Sequence, residues 1–153
     1  MKLDIELVPQ TCWFSNVRSA VSKARWDTIK AAVASKAWNV CRICGDVGPK
    51  HPVECHEIWH YDDVKLIQRL TGMIALCPNC HMVKHFGFAQ VSGKSEKALK
   101  HLMKINDLTR LAAEATVKRA FATWEQRSKK QWKLDISLLS DYGIDISKIT
   151  ERK

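Results

Sequence analysis

Residues 70–85 read LTGMIALCPNCHMVKH, and the reading of this stretch decides the fold. Met73 to Leu76 is a short apolar run that suits a buried strand, and Cys77-Pro-Asn-Cys80 then turns the chain. Two residues between cysteines let both sulfurs face one side of a tight loop. A second pair, Cys41-Arg-Ile-Cys44, lies upstream, so four thiolates are available for one tetrahedral Zn²⁺ in a structural site. The 32 residues between the pairs exceed ordinary zinc-ribbon spacing, so an insert separates the two knuckles. Two unrelated redox pairs are the competing reading. The string CPNCH also matches the haem-attachment pattern. That reading is set aside because MKLDIELVPQ is not a signal peptide and because a second Cys-x-x-Cys is present.

Directly after the second pair stand His81 and His85, four residues apart at the start of an expected helix opening near Cys80. That spacing sets both rings on one helix face, where they can chelate a divalent ion. Upstream, the insert holds an expected strand from Pro52 to Trp59, with Val53, Cys55 and Ile58 apolar and the turn-like YDD following. A short helix is expected in VKLIQRL before the strand at Met73 to Leu76, giving the order strand, connection, strand, helix.

Farther out, Trp26, Ile29 and Val33 recur at helical spacing between Ser22 and Ala37, with Ser22 as cap. The segment before it, with Pro9, Cys12, Trp13 and Phe14, lacks a period and reads as an irregular arm packing by its aromatics, with Cys12 a buried free thiol. Helices are expected over Lys97 to Ile105 and Leu108 to Ser128, the second striped by Ala113, Val117, Phe121 and Trp124, with Asn106 and Asp107 as stop signals. The tail KLDISLLSDYGIDISKITERK holds a short apolar segment expected to dock on the core. The division is therefore an arm and helix over 1–40, a zinc-knuckle core over 41–90 and a basic helical extension over 91–153, within one folding unit of 153 residues.

The formal net charge is +9 and the pI about 9.4. Between Lys94 and Lys133 eleven lysines and arginines face four acids. A polyanion is attracted to such a chain at a distance, and nucleic acid is the default partner, ahead of an anionic membrane surface or a merely solvated face. Lys84, Lys94, Lys118 and Arg119 are the candidates for phosphate contact. Trp59, Tyr61 and Trp38 read first as core aromatics and second as base-stacking platforms. No run of about 18 apolar residues is present, so a membrane span is not expected and a cytoplasmic protein is.

The strand with Glu-x-His, followed by LTGMIALCPNCHMVKH after a Cys-x-x-Cys, resembles the HNH endonucleases with their ββα-metal fold, in the subgroup with two Cys-x-x-Cys knuckles. The resemblance spans Cys41 to Phe86, about a third of the chain. It implies an α+β fold: a small zinc-stabilised ββα-metal core with an N-terminal helix and a mainly helical C-terminal extension. It also implies a bacterial or phage-encoded enzyme, monomeric or homodimeric, that nicks or cuts DNA, or RNA. The ion would be Mg²⁺, Mn²⁺ or Ni²⁺, and the products a 5′-phosphate and a 3′-hydroxyl. Carried onto this chain, the resemblance places His56 at the metal-ligand position of the strand and Glu57 at the general-base position, with His81 and His85 as the helix ligands. Glu57 stands where the family has its base histidine, and Gly72 stands where an orienting asparagine lies. A register shifted by one makes His56 the base and Cys55 the ligand, and His60 serves if the strand ends differently. The alternative function is a nuclease-derived zinc module that binds nucleic acid or a protein without cutting.

Overall fold

A computed structural model describes residues 1–47 and 53–149. Residues 48–52, which include the end of the expected knuckle turn and the Pro52 start of the expected first strand, lie outside the described residues, as do residues 150–153.

The centre of the molecule is a long antiparallel hairpin, β1 (Glu54–Asp62) and β2 (Ile67–Leu76), followed at once by helix α3 (Pro78–Lys84). The register pairs Glu54 with Leu76, His56 with Ile74 and Glu57 with Met73. It slips between Ile58 and Trp59, where Ile58 faces Gly72 and Trp59 faces Leu70, leaving Thr71 as the extra residue. Thr71 donates its hydroxyl to the Ile58 carbonyl at 3.1 Å, which fills the gap this bulge makes in the ladder.

The short helix expected in VKLIQRL does not form. Residues 63–66 make the hairpin turn and Ile67 begins β2. The reason is distant in sequence: β3 (Lys133–Asp135) lies parallel to Ile67, Gln68 and Arg69. Both edges of β2 are thereby hydrogen-bonded, and Arg69 ties to Asp135 at 2.8 Å. The first strand likewise runs through Tyr61 and Asp62, beyond its expected end at Trp59.

Helices α1 (Val17–Ala20) and α2 (Lys23–Lys36) precede the hairpin, each with its cap side chain, Asn16 and Ser22, accepting from a first-turn N–H. After α3 come α4 (Phe86–Val91), α5 (Ser95–Asn106) and α6 (Arg110–Arg127). The expected stop between the last two is an αL cap at Asp107, with Leu108 N–H bonding back to Met103.

Two cores flank the hairpin. One joins Leu76, Cys77, Cys80 and Val83 to Leu99, Leu102 and Ala113 of the two long helices. The other packs Ile29 and Val33 of α2 and Leu139 and Ile144 of the tail against Leu70 and Ala75. The expected docking of the tail is thus observed. The N-terminal arm behaves otherwise than expected. It is anchored by Leu3, Pro9 and Cys12, all fully buried, whereas Trp13 is 55% and Phe14 89% exposed. Among the described residues no helix is long and apolar enough to cross a membrane.

Candidate metal centres

The sulfurs of Cys41, Cys44, Cys77 and Cys80 all lie within 4.8 Å of one another, and those of Cys44 and Cys77 are 3.6 Å apart. This is far longer than the S–S bond of a disulfide, about 2.0 Å. It matches the sulfur–sulfur separation of about 3.8 Å that follows from a tetrahedral ion with Zn–S bonds of about 2.3 Å. The four cysteines can hold a zinc ion.

The knuckles are built locally. Cys41 N–H bonds to the Asp46 carbonyl, Gly45 N–H returns to Cys41, and Arg42 N–H docks the loop on Ala75 of β2. Gly45 takes φ +78°, a conformation that suits glycine. On the other side, Cys77 is the N-cap of α3, its sulfur accepting from Cys80 N–H. Burial opposes ionisation of Cys41, but backbone N–H groups of Cys44, Cys77 and Ile43 bring its thiol down to about 7. Cys44 is pushed up to about 11 by burial first and its neighbouring thiols next. Burial and the surrounding sulfurs also raise Cys80. Four thiols so crowded cannot all ionise without a cation among them, which is the electrostatic case for an ion here. No local pattern marks His101 on α5, whose Nε2 lies 3.2 Å from Cys80 Sγ and can donate to it.

The residue after Cys80 begins the second cluster. His56 of β1 and His81 and His85 of α3 and its end bring one ring nitrogen each within 4.8 Å of the others. The ring centroids lie 4.6 to 5.3 Å apart, edge to face. His81 Nδ1–H donates to Glu54, so its Nε2 carries the lone pair, and this atom is 3.0 Å from His85 Nε2. Two ligand atoms about 2.1 Å from one ion at a right angle are about 3.0 Å apart, so the pair is spaced for chelation. Burial lowers the affinity of His81 for a proton, against the pull of Glu54. Burial, then the adjacent His81 and His56, takes His85 down to about 3. Both rings are therefore neutral at physiological pH, the form that ligates metals.

Neither Cys55 nor His60 joins this cluster. Cys55 packs with the second core, its thiol pushed up to about 12 by burial and then by Glu57, and His60 is exposed. Glu57 sits beside the trio in a cavity of about 300 Å³, lined also by Glu6, Arg18, His56, His81 and His85. Its Oε1 accepts from Val17 N–H at 2.7 Å, and burial raises its carboxyl above the usual range. Gly72 lies within β2, opposite Ile58.

Two acids that the sequence reading left unassigned orient the histidines. Glu54 holds His81, and Glu6 of the arm accepts from His56 Nε2 at 2.9 Å. Burial works against the charge on Glu6, but hydrogen bonds from His56 and Lys84 hold its carboxyl below the usual range. Lys84 requires a correction. Expected on a phosphate-contacting surface, it is 6% exposed and bonded to Asp4 and Glu6, because it shares the inner side of α3 with Cys80. Lys94, Lys118 and Arg119 are exposed. Trp59 and Tyr61 are packed, with Arg127 stacked 4.9 Å over the Tyr61 ring, and Trp38 is 85% exposed. Arg18 was missed because nothing local marks it. It is an exposed cation at the histidine cavity with no acidic partner among the described residues.

Comparison of the chain with family models, with curated proteins and with solved structures returned no match.

Proposed function

We propose that this protein is a metal-dependent endonuclease of the HNH type that hydrolyses phosphodiester bonds in DNA. The observation that carries the reading is the histidine trio, drawn from a hairpin strand and the helix that follows it directly, beside a four-cysteine cluster. In this reading Cys41, Cys44, Cys77 and Cys80 hold a structural Zn²⁺, and His56, His81 and His85 hold the working ion. Three imidazoles form a nitrogen-rich set, which favours Ni²⁺ or Zn²⁺ over Mg²⁺ or Mn²⁺. When bound, such an ion neutralises charge on the phosphate and on the departing oxygen.

The chain's own groups supply the rest. Arg18, which lines the cavity, is exposed and has no acidic partner among the described residues, binds a non-bridging phosphate oxygen. Glu57, half-buried and held by Val17 N–H, is the base. A water oxygen attacks phosphorus, its proton passes to Glu57, and the P–O3′ bond breaks, the departing O3′ oxygen taking a proton from solvent water. The products are a 5′-phosphate and a 3′-hydroxyl. Exposed Lys94, Lys118 and Arg119 track the backbone in a salt-sensitive way.

A second reading, a nucleic-acid-binding or protein-binding module without activity, is favoured by one observation: a carboxylate oxygen of Glu57 is already committed to the Val17 amide. Nicking of supercoiled plasmid separates the two. The assay adds Mg²⁺, Mn²⁺ or Ni²⁺ in turn, with EDTA and His81→Ala as controls. Metal-dependent nicking lost in the variant is the expected result. Salt-sensitive binding without nicking under any ion overturns the nuclease.

A further inference from the structure

Beside the histidine cavity lies a second and larger one of about 590 Å³. The two adjoin, with Glu6, Val8, Asn16, Glu57, Trp59 and His85 lining both. The larger cleft is aromatic, with Trp59, Phe121 and Trp124 in its wall and Trp13 and Phe88 at its rim, the last two 55% and 70% exposed. Two of these rings are fixed before anything binds: Trp13 and Trp124 both donate their indole N–H to the Val8 carbonyl, at 3.1 and 3.0 Å. Gln10 and Gln90 also line the cleft, where their side-chain amides can reach a bound group.

We propose that this cleft receives an unstacked nucleobase next to the scissile phosphate, so that the substrate is single-stranded or locally melted DNA. The inference rests on the nuclease reading of the histidine site and names its substrate class. Three features commit it to a nucleotide rather than to another flat apolar ligand. The cleft adjoins the histidine cavity and shares His85 and Glu57 with it, beside the place where a phosphate would lie. Its volume falls in the range of small-molecule sites, roughly 300–1,000 Å³. Its aromatic faces are accompanied by amides that can pair with a base edge, and the whole chain carries +9. A base still stacked within a duplex cannot enter a cleft of this kind without leaving the stack.

The test measures binding, so it is independent of cutting. Full-length protein without added divalent ion is titrated into fluorescein-labelled 15-mers by anisotropy: single-stranded DNA, single-stranded RNA, the matched duplex, and a duplex with a central bubble. A 2-aminopurine at the centre of the single strand reports stacking. Phe88→Ala is the main variant because that ring is exposed and its loss leaves the core intact; Phe88→Tyr restores the ring. The expected result is tighter binding of the single strand and the bubble than of the duplex, with 2-aminopurine quenched. Phe88→Ala should lose about 5- to 150-fold on the single strand, the range for one lost stacking contact, with little change on the duplex. Phe88→Tyr should recover it. Equal affinity for duplex and single strand overturns the proposal, as does equal weakening of both by Phe88→Ala. Preference for the RNA strand over DNA overturns the choice of DNA. If nicking fails but single-strand preference is found, the nuclease reading falls alone. If matched duplex is cut as fast as single strand, the cleft proposal falls alone.

Discussion

Asn106 closes α5 and at the same time clamps the amino terminus. Its Oδ1 accepts from the N–H groups of Lys2 and Leu3 at 2.8 and 3.0 Å, and its Nδ2 donates to the Leu3 carbonyl at 2.7 Å. Leu3 is fully buried, and the arm beyond it carries Asp4 and Glu6 to Lys84 and Glu6 to His56. Asn106→Ala removes all three bonds. At about 0.5–1.5 kcal/mol net for each, and with the exposed Lys2 amide free to turn to water, the loss should be about 2–3 kcal/mol. For a chain of this length about 2–4 °C is lost per kcal/mol, so the melting temperature should fall by about 4–12 °C. Circular dichroism at fixed zinc concentration measures it. Leu3→Ala should cost about 2–5 kcal/mol alone, through the cavity it leaves. If both act through one docked arm, the double variant should fall short of the sum by at least about 0.5 kcal/mol. A melting temperature within about 1 °C of the parent for Asn106→Ala would refute the reasoning, and so would strict additivity.

Three further outcomes are expected. With zinc bound, the four clustered thiols should be withheld from a thiol reagent and released together by a chelator, separately from the protection that burial gives Cys12 and Cys55; a chelator that releases no thiols would remove the cysteine site. Glu54→Gln should weaken ion binding at the histidines by about 10–100-fold, read by calorimetric titration, with the melting temperature of the ion-free protein hardly moved because Glu54 is exposed. Lys84→Met should destabilise the fold by about 2–3 kcal/mol, discounted from the cost of a broken buried pair because Asp4 is largely exposed. An unchanged melting temperature with weaker DNA binding would return Lys84 to the surface role expected from the sequence.

The features legible in the sequence were those whose cause is local. Two residues between cysteines, three between histidines, and the helical recurrence of Trp26, Ile29 and Val33 are all properties of a single turn or a single face, and each residue set lies together as expected. The first half of β2 was not legible because its partner β3 lies more than 60 residues away. Glu6 and Arg18 reach the histidines through the folding of the arm, and no spacing announces that. Glu54 is different. Alternation along a strand sets residues 54 and 56 on one face, so an acid two positions before the expected ligand was readable as its neighbour's partner. Lys84 was readable too: Cys77, Cys80 and Lys84 follow i, i+3, i+7, which marks it for the buried side of α3.

The two clusters are joined by one short element, and the joint sets an order of dependence between them. Helix α3 has seven residues, too few to persist on local hydrogen bonds alone. Its start is capped by Cys77 and its first turn held by Cys80, while the next residue, His81, belongs to the other cluster. Between Cys41 and Cys44, Arg42 N–H docks the opposite knuckle on Ala75 of the hairpin that also carries His56. Releasing an ion from the cysteines therefore frees both ends of the frame on which the histidines are mounted. Releasing an ion from the histidines leaves His81 bonded to Glu54 and His56 bonded to Glu6, with α3 still capped. On the proposed reading, an ion at the cysteines would be a condition for the histidine geometry, whereas an ion at the histidines could leave without unfolding the chain.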